Sequence, residues 1–310
     1  MRILFYLQTK PSHGLDTLYD GLCKVLGYEN VVDYPLKPTL HGRGWDYYLH
    51  YPCFFNYPSP KNTLAELKEG LFDLILVGCK VEKDRLANNE VYETEGYELI
   101  KKSNIPKVLI DQGDRAELNG VVYNEKLCRE LNPILYFKRE CMEETDFVKP
   151  LPFSYAHLLN VKTERVKPVF FAGDCRGAVR RKYLAVAKRW LSDPEQKFSP
   201  GAYSQELLKT RIGLNFRGEG FDTVRYWEIP AHGAMLFSQK SPLIIPNNFV
   251  EGESGVFFES CEEFIEKMEY LIDNPDKVDI IRKNGYNQFR KYHTSEVRAG
   301  ELLSAIRRNI

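Results

Sequence analysis

The chain has 310 residues, 43% apolar and 28% charged, which suits two folded domains of roughly 150 residues and excludes wholesale disorder. Lys and Arg total 43, Asp and Glu also total 43, and the formal net charge is zero. That balance excludes a molecule built as a whole to hold a nucleic-acid backbone, though it leaves room for a local basic patch. Ile3 to Leu7 reads as a first strand, and residues 17–26 as a helix with apolar positions at 18, 22, 25 and 26 and a stop at Gly27. Val31-Val32 is a short strand, 64–67 belongs to a helix, and 73–78 is a continuous apolar strand. Residues 95–102 follow as a helix, and 107–111 and 133–137 as strands. Strands without polar alternation, separated by helices, predict a parallel sheet covered on both faces.

Lys149-Pro150-Leu151-Pro152 and the polar run 160–167 read as a linker, after which the pattern restarts. Strands are predicted at 169–173, 212–216, 234–237 and 255–258, and helices at 180–191, 205–209, 224–232, 261–272, 276–292 and 295–308. Two α/β domains result, and a ligand is expected at the carboxyl ends of the strands, in the cleft between them. The seven cysteines, at 23, 53, 79, 128, 141, 175 and 261, form no C-x-x-C pair. They suit buried thiols in a reducing compartment better than disulfides or zinc. The apolar run of MRILFYLQTKP is too short for a secretion signal, and no stretch nears the roughly 18 apolar residues of a membrane span. A cytoplasmic location is expected.

Two segments carry candidate chemistry. In Phe170-Phe171-Ala172-Gly173-Asp174-Cys175-Arg176-Gly177-Ala178-Val179-Arg180 a strand runs through a glycine loop into a helix. Free N–H groups at a helix start favour an anion, glycine permits close approach, and Arg176 and Arg180 could clamp phosphate oxygens. A solvated strand–helix turn is the bland alternative. There is no P-loop lysine and no dinucleotide G-x-G-x-x-G. The second segment has a glycine-rich loop, Phe216 to Asp222, then Thr223 and a helix with Arg225 in its first turn and Glu228 one turn on. Residues at i and i+3 share a face, so both can meet one ligand. An arginine for a pyrophosphate and a carboxylate for two ribose hydroxyls are what a nucleotide diphosphate needs; a surface ion pair is the alternative.

These motifs resemble the donor-binding half of GT-B glycosyltransferases, most closely the CgeB/YkvP-type and exostosin-type families. The likeness rests on Thr210-Arg211-Ile212-Gly213-Leu214-Asn215, on Arg225-Tyr226-Trp227-Glu228-Ile229-Pro230-Ala231-His232-Gly233-Ala234, and on the FFAGDCRGAVRRKYL stretch. It covers about residues 168–300. It implies two Rossmann-like domains facing a cleft, with Arg225 on the diphosphate and Glu228 on the ribose. Gly173, Arg176 and Arg180 would lie around the phosphates, with Asp222 and Thr223 in the loop beside them. Many retaining GT-B enzymes carry two glutamates with seven residues between them. Glu219 and Glu228 here have eight between, so Asp222 competes for the sugar-contacting role.

The expected division is 1–160 for the acceptor and 161–294 for the nucleotide sugar, and the resemblance implies a last helix crossing back to the first domain, for which 295–310 is the candidate. No D-x-D occurs, so no metal is expected, and leaving-group charge would fall to arginines and helix N-termini. No cofactor is expected beyond the donor, a UDP-sugar. The base should come from the first half. His13 follows the first strand and has a suitable pKa, although a loop histidine facing water is the alternative. Asp111 and Asp114 follow another strand, and Asp114 could instead cap a helix. Residues 45–57 hold seven aromatics, either a stacking surface or a packed loop. The expected function is transfer of a sugar from a nucleotide diphosphate donor to a hydroxyl. A glycosyltransferase acting on a modified nucleic-acid base and a non-catalytic sugar-nucleotide or glycan binder are the alternatives.

Overall fold

The computed structural model describes residues 1–7, 12–42, 57–59, 61–79, 95–115, 124–156, 161–175, 177–191, 193 and 196–309. Its first half is a six-stranded sheet, β1 (Ile3–Tyr6), β2 (Val31–Tyr34), β3 (Leu74–Cys79), β4 (Lys107–Asp111), β5 (Leu135–Lys138) and β6 (Val148–Pro150), in the order β2-β1-β3-β4-β5-β6. Every pairing is parallel, with Ile3 opposite Val31 on one side and Leu74 on the other. The helices are α1 (His13–Leu26), α2 (Thr63–Lys68), α3 (Glu95–Lys102) and α4 (Glu125–Leu131). β1 shows why its sequence has no polar alternation. Ile3 and Phe5 enter one core, Leu4 and Tyr6 the core on the opposite face, so both faces are dry. The strand order reverses beside β1, which opens a crevice at the carboxyl ends.

The second half repeats the plan with four parallel strands, β7 (Lys167–Phe170), β8 (Thr210–Asn215), β9 (Met235–Gln239) and β10 (Val256–Phe258), in the order β10-β9-β8-β7. Its helices are α5 (Ala178–Ala187), α6 (Pro200–Leu208), α7 (Val224–Ala231), α8 (Cys261–Asp273) and α9 (Pro275–Tyr292). The last helix, α10 (Ser295–Arg307), leaves this half. Its Ala299, Leu302, Leu303 and Ile306 join the core of the first sheet, where it lies on α1. The approach is close because Gly21 has no side chain: a Cβ there would lie 2.0 Å from the Ser295 carbonyl oxygen. The Ser295 hydroxyl donates to Asp20 at 2.6 Å and the Lys24 ammonium to the Ala156 carbonyl at 2.8 Å, fastening both crossings to α1.

Several local expectations change, among them the start of α6 at Pro200 rather than 205 and the end of β7 at Phe170 rather than 173. Part of the expected linker at 149–152 is β6, a three-residue strand beside β5 that ends on Pro150. A short edge position tolerates a proline that cannot donate to a ladder. α1 starts at residue 13 rather than 17, so His13 lies in a helix and not in a loop. α4 was not anticipated; its Asn124 side chain accepts from Leu127 N–H at 3.1 Å, an ordinary N-cap. Among the described residues, no helix is long and apolar enough to cross a membrane.

Candidate functional site

The chain beyond β7 runs Phe171-Ala172-Gly173 towards α5, and Arg225 from the first turn of α7 folds back over it. Its Nε donates to the Ala172 carbonyl at 2.6 Å, and its guanidinium lies 5.0 Å from the centre of the Phe171 ring. Gly173 is the slot that admits it, because a Cβ there would sit 1.8 Å from the Arg225 Nη2. Arg180, in the first turn of α5, donates to the Asp174 carbonyl at 2.9 Å. It reaches the glycine-rich loop, where a Cβ on Gly218 would be 3.0 Å from its Nη2. Burial first, and then the neighbouring Arg225, push the Arg180 pKa down to about 10. Among the described residues neither arginine makes an ion pair. Two neighbouring guanidinium groups at helix starts, neither paired with a carboxylate, could hold an anion.

Glu228 lies one turn beyond Arg225 and is 1% exposed. One carboxyl oxygen accepts from the Tyr203 hydroxyl at 3.0 Å, and the other, Oε1, is buried without a partner. Burial pushes its pKa up to about 7, against the pull of Arg225 and Tyr203. A buried carboxyl with an idle oxygen can accept a hydroxyl from a ligand, which would end its isolation. The Thr223 hydroxyl donates to Asn215 Oδ1 at 2.6 Å, and the Asn215 amide donates to the Ser238 hydroxyl at 3.0 Å. This chain ties the start of α7 to the ends of β8 and β9. Thr223 therefore does not cap its own helix with its side chain.

The remaining candidates lie elsewhere. The Asp222 carboxylate faces the junction of the two halves rather than Arg180 and Arg225, accepting from Phe153 N–H at 2.7 Å and Trp227 Nε1–H at 2.6 Å. Burial raises its pKa to about 7. Arg176 and aromatic residues 45–55 lie outside the described residues, and Glu219 is exposed. His13 is buried, not water-facing: its Nε2 is 2.9 Å from the Ser154 carbonyl oxygen and its ring packs edge-on against Phe153. Asp111 is buried in a tie with the Tyr136 hydroxyl (2.8 Å), Lys138 ammonium (3.1 Å) and Gly113 N–H (2.8 Å). The Asp114 side chain is 59% exposed at the strand ends and pairs with Arg139. The helix it was expected to cap would fall outside the described residues.

Sequence reasoning missed Arg139 and Glu140, which follow β5. Arg139 donates to the Asp222 carbonyl at 2.6 Å and the Gly113 carbonyl at 3.0 Å, with its guanidinium 4.5 Å from the Phe153 ring centre. Glu140 accepts from Phe221 N–H at 3.0 Å and Asp222 N–H at 2.9 Å. A signal was present: Lys138-Arg139-Glu140 puts three charges at the carboxyl end of a buried strand, the end where a ligand is expected.

Over its whole length the chain is similar to several solved structures. An Anabaena protein, Alr3699/HepE, in complex with UDP and glucose, matches with a TM-score of 0.59 and 13% identity over 99% of each chain. A glycosyltransferase from Rickettsia africae matches with a TM-score of 0.57 and 10% identity, over 98% of this chain and 97% of the other. An alpha-glucosyltransferase in complex with UDP-glucose and DNA containing an abasic site matches with a TM-score of 0.55 and 12% identity over 99% of each chain. No curated protein matches the sequence. At these identities the likeness is one of fold, and the fold is GT-B. Residues 171–304, the stretch that carries Gly173, Arg180, Arg225 and Glu228, match the model of a family described as glycosyl transferase-like.

Proposed function

We propose that the chain is a glycosyltransferase that moves a hexose from a UDP-sugar to a hydroxyl acceptor without a metal, in the cytoplasm. The observation that carries this reading is the pairing of Arg225, seated over Gly173 beside Arg180, with the buried and half-unused carboxyl of Glu228 on the same helix. A donor's diphosphate would lie against the two guanidinium groups, and its ribose hydroxyls would donate to Glu228. As the bond from the sugar to the diphosphate breaks, negative charge grows on the leaving oxygens. Fixed guanidinium groups in a site shielded from water stabilise that charge more than they stabilise the intact donor.

Residues 161–294 bind the donor in this reading, residues 1–160 present the acceptor, and α10 fastens the two. Asp114 is the candidate base, being exposed at the strand ends of the acceptor side; a proton taken from the acceptor hydroxyl would pass to its carboxylate. His13, packed against Ser154 and Phe153, would shape that wall of the cleft. The test is release of UDP from a panel of UDP-sugars by the purified chain. Arg225→Ala should lower kcat by about 10²- to 10³-fold, the usual cost of removing one charge-stabilising donor. Donor binding without turnover, at every sugar tried, would instead identify a sugar-nucleotide binder. A nucleic-acid acceptor is the second reading, supported by the DNA in one structurally similar complex. It predicts DNA binding that weakens steeply with salt.

A further inference from the structure

Resting on the donor site proposed above, we infer that Glu140, with Arg139, is a positioning residue for that site, acting from the opposite half of the molecule without touching the donor. The loop 217–223 leads directly into α7 and so sets where Arg225 and Glu228 stand. Its own half holds it at Thr223, through Asn215. The stretch just before is held by the other half. The Glu140 carboxylate takes the N–H groups of Phe221 and Asp222 in a two-pronged grip, and Arg139 takes the Asp222 carbonyl. Both side chains are buried, at 1% and 3% exposure. Arg139 is fixed from its own side by Gly113, Asp114 and the Phe153 ring, and lies 3.5 Å from the Glu140 carboxylate.

The fit leaves no slack at Gly220, where a Cβ would lie 2.4 Å from Glu140 Oε1 and 3.2 Å from Asp114 Oδ1. A glycine-rich loop left to itself samples many conformations, and a carboxylate accepting two consecutive N–H groups removes that freedom. The first turn of α7 inherits the result. Arg225 must thread the Gly173 slot, in which a Cβ would stand 1.8 Å from it, so a small displacement of the helix start misplaces the guanidinium. Misplacement by about 1 Å costs on the order of 100-fold in rate.

The experiment compares wild type, Glu140→Gln and Gly220→Ala for UDP affinity by calorimetry, for melting temperature and for amide exchange at residues 221 and 222. Glu140→Gln keeps the shape but turns one acceptor into a donor facing an N–H. Its UDP Kd should rise about tenfold or more, with faster exchange at the two amides, at a temperature where the variant is fully folded. Gly220→Ala reaches the same contact from the loop side and should weaken UDP similarly, which keeps the test intact should Glu140→Gln fail to fold. A purely structural role would lower the melting temperature and leave Kd unchanged. Unchanged Kd in a folded variant, with wild type binding UDP, overturns this inference alone. A wild-type chain that binds no UDP overturns the donor reading as well.

Discussion

Glu228 presents an unusual local problem: a carboxyl group out of reach of water, with Oε1 unpartnered. Burial answers part of it by raising the pKa to about 7. The consequence for stability has a definite sign. Between 4.5, the ordinary value, and about 7 the folded chain keeps a proton that the unfolded chain gives up, so this group's contribution is lost as pH rises through that window. Denaturant midpoints measured at both ends of the window should fall with pH, and Glu228→Gln should fall less. Nucleotide affinity should move the opposite way in wild type, since the ionised carboxylate is the better acceptor. Gly173→Ala is the complementary change, for its Cβ would displace the Arg225 guanidinium. UDP release should drop about 100-fold while the melting temperature shifts little. The pairing of Arg225 and Glu228 was legible because i and i+3 spacing on a helix is local. The Tyr203 partner of Glu228, 25 residues away, was not, and neither was the burial of His13, which needs Ser154 from 141 residues along the chain.

At the level of elements, continuous apolar strands announced the two parallel sheets, because only a sheet dry on both faces permits such runs. What escaped notice were pieces whose stability comes from their surroundings. β6 is three residues long and exists by pairing with β5; the first turn of α1 has His13 packed on Phe153. The seat of α10 on α1 lies between these cases. The helix itself was legible from its pattern, but the glycine that admits it was not, since Gly21 looks from sequence like any residue in a helix where glycine is mildly unfavourable. Gly21→Ala puts a Cβ 2.0 Å from the Ser295 oxygen and must move one helix away from the other. The expected loss is about 1–3 kcal/mol of unfolding free energy, read by chemical denaturation. A neutral or stabilising result, as better helix propensity alone would give, would show that the two helices are not pressed together there.

For the molecule as a whole, the two halves are joined by the chain between β6 and β7, by the passage from α9 to α10, and by a web of buried polar groups. Arg139, Glu140 and Asp222 bring charge into this web, and each is hydrogen-bonded across it. Such groups fix an arrangement more than they add stability, since burying charge is costly unless every partner is in place. None of this was visible in composition, where charges simply balance. Balanced charge does bear on the acceptor. If it is a sugar or other small hydroxyl compound, DNA binding should be absent or weak at physiological salt, and a salt titration by filter binding would show no steep slope. A crystal structure with UDP bound tests the donor site most directly. Ribose hydroxyls should lie within hydrogen-bond distance of the Glu228 carboxylate, and the diphosphate against Arg225 and Arg180. UDP bound elsewhere, or Glu228 Oε1 still unpartnered beside bound nucleotide, would contradict this assignment.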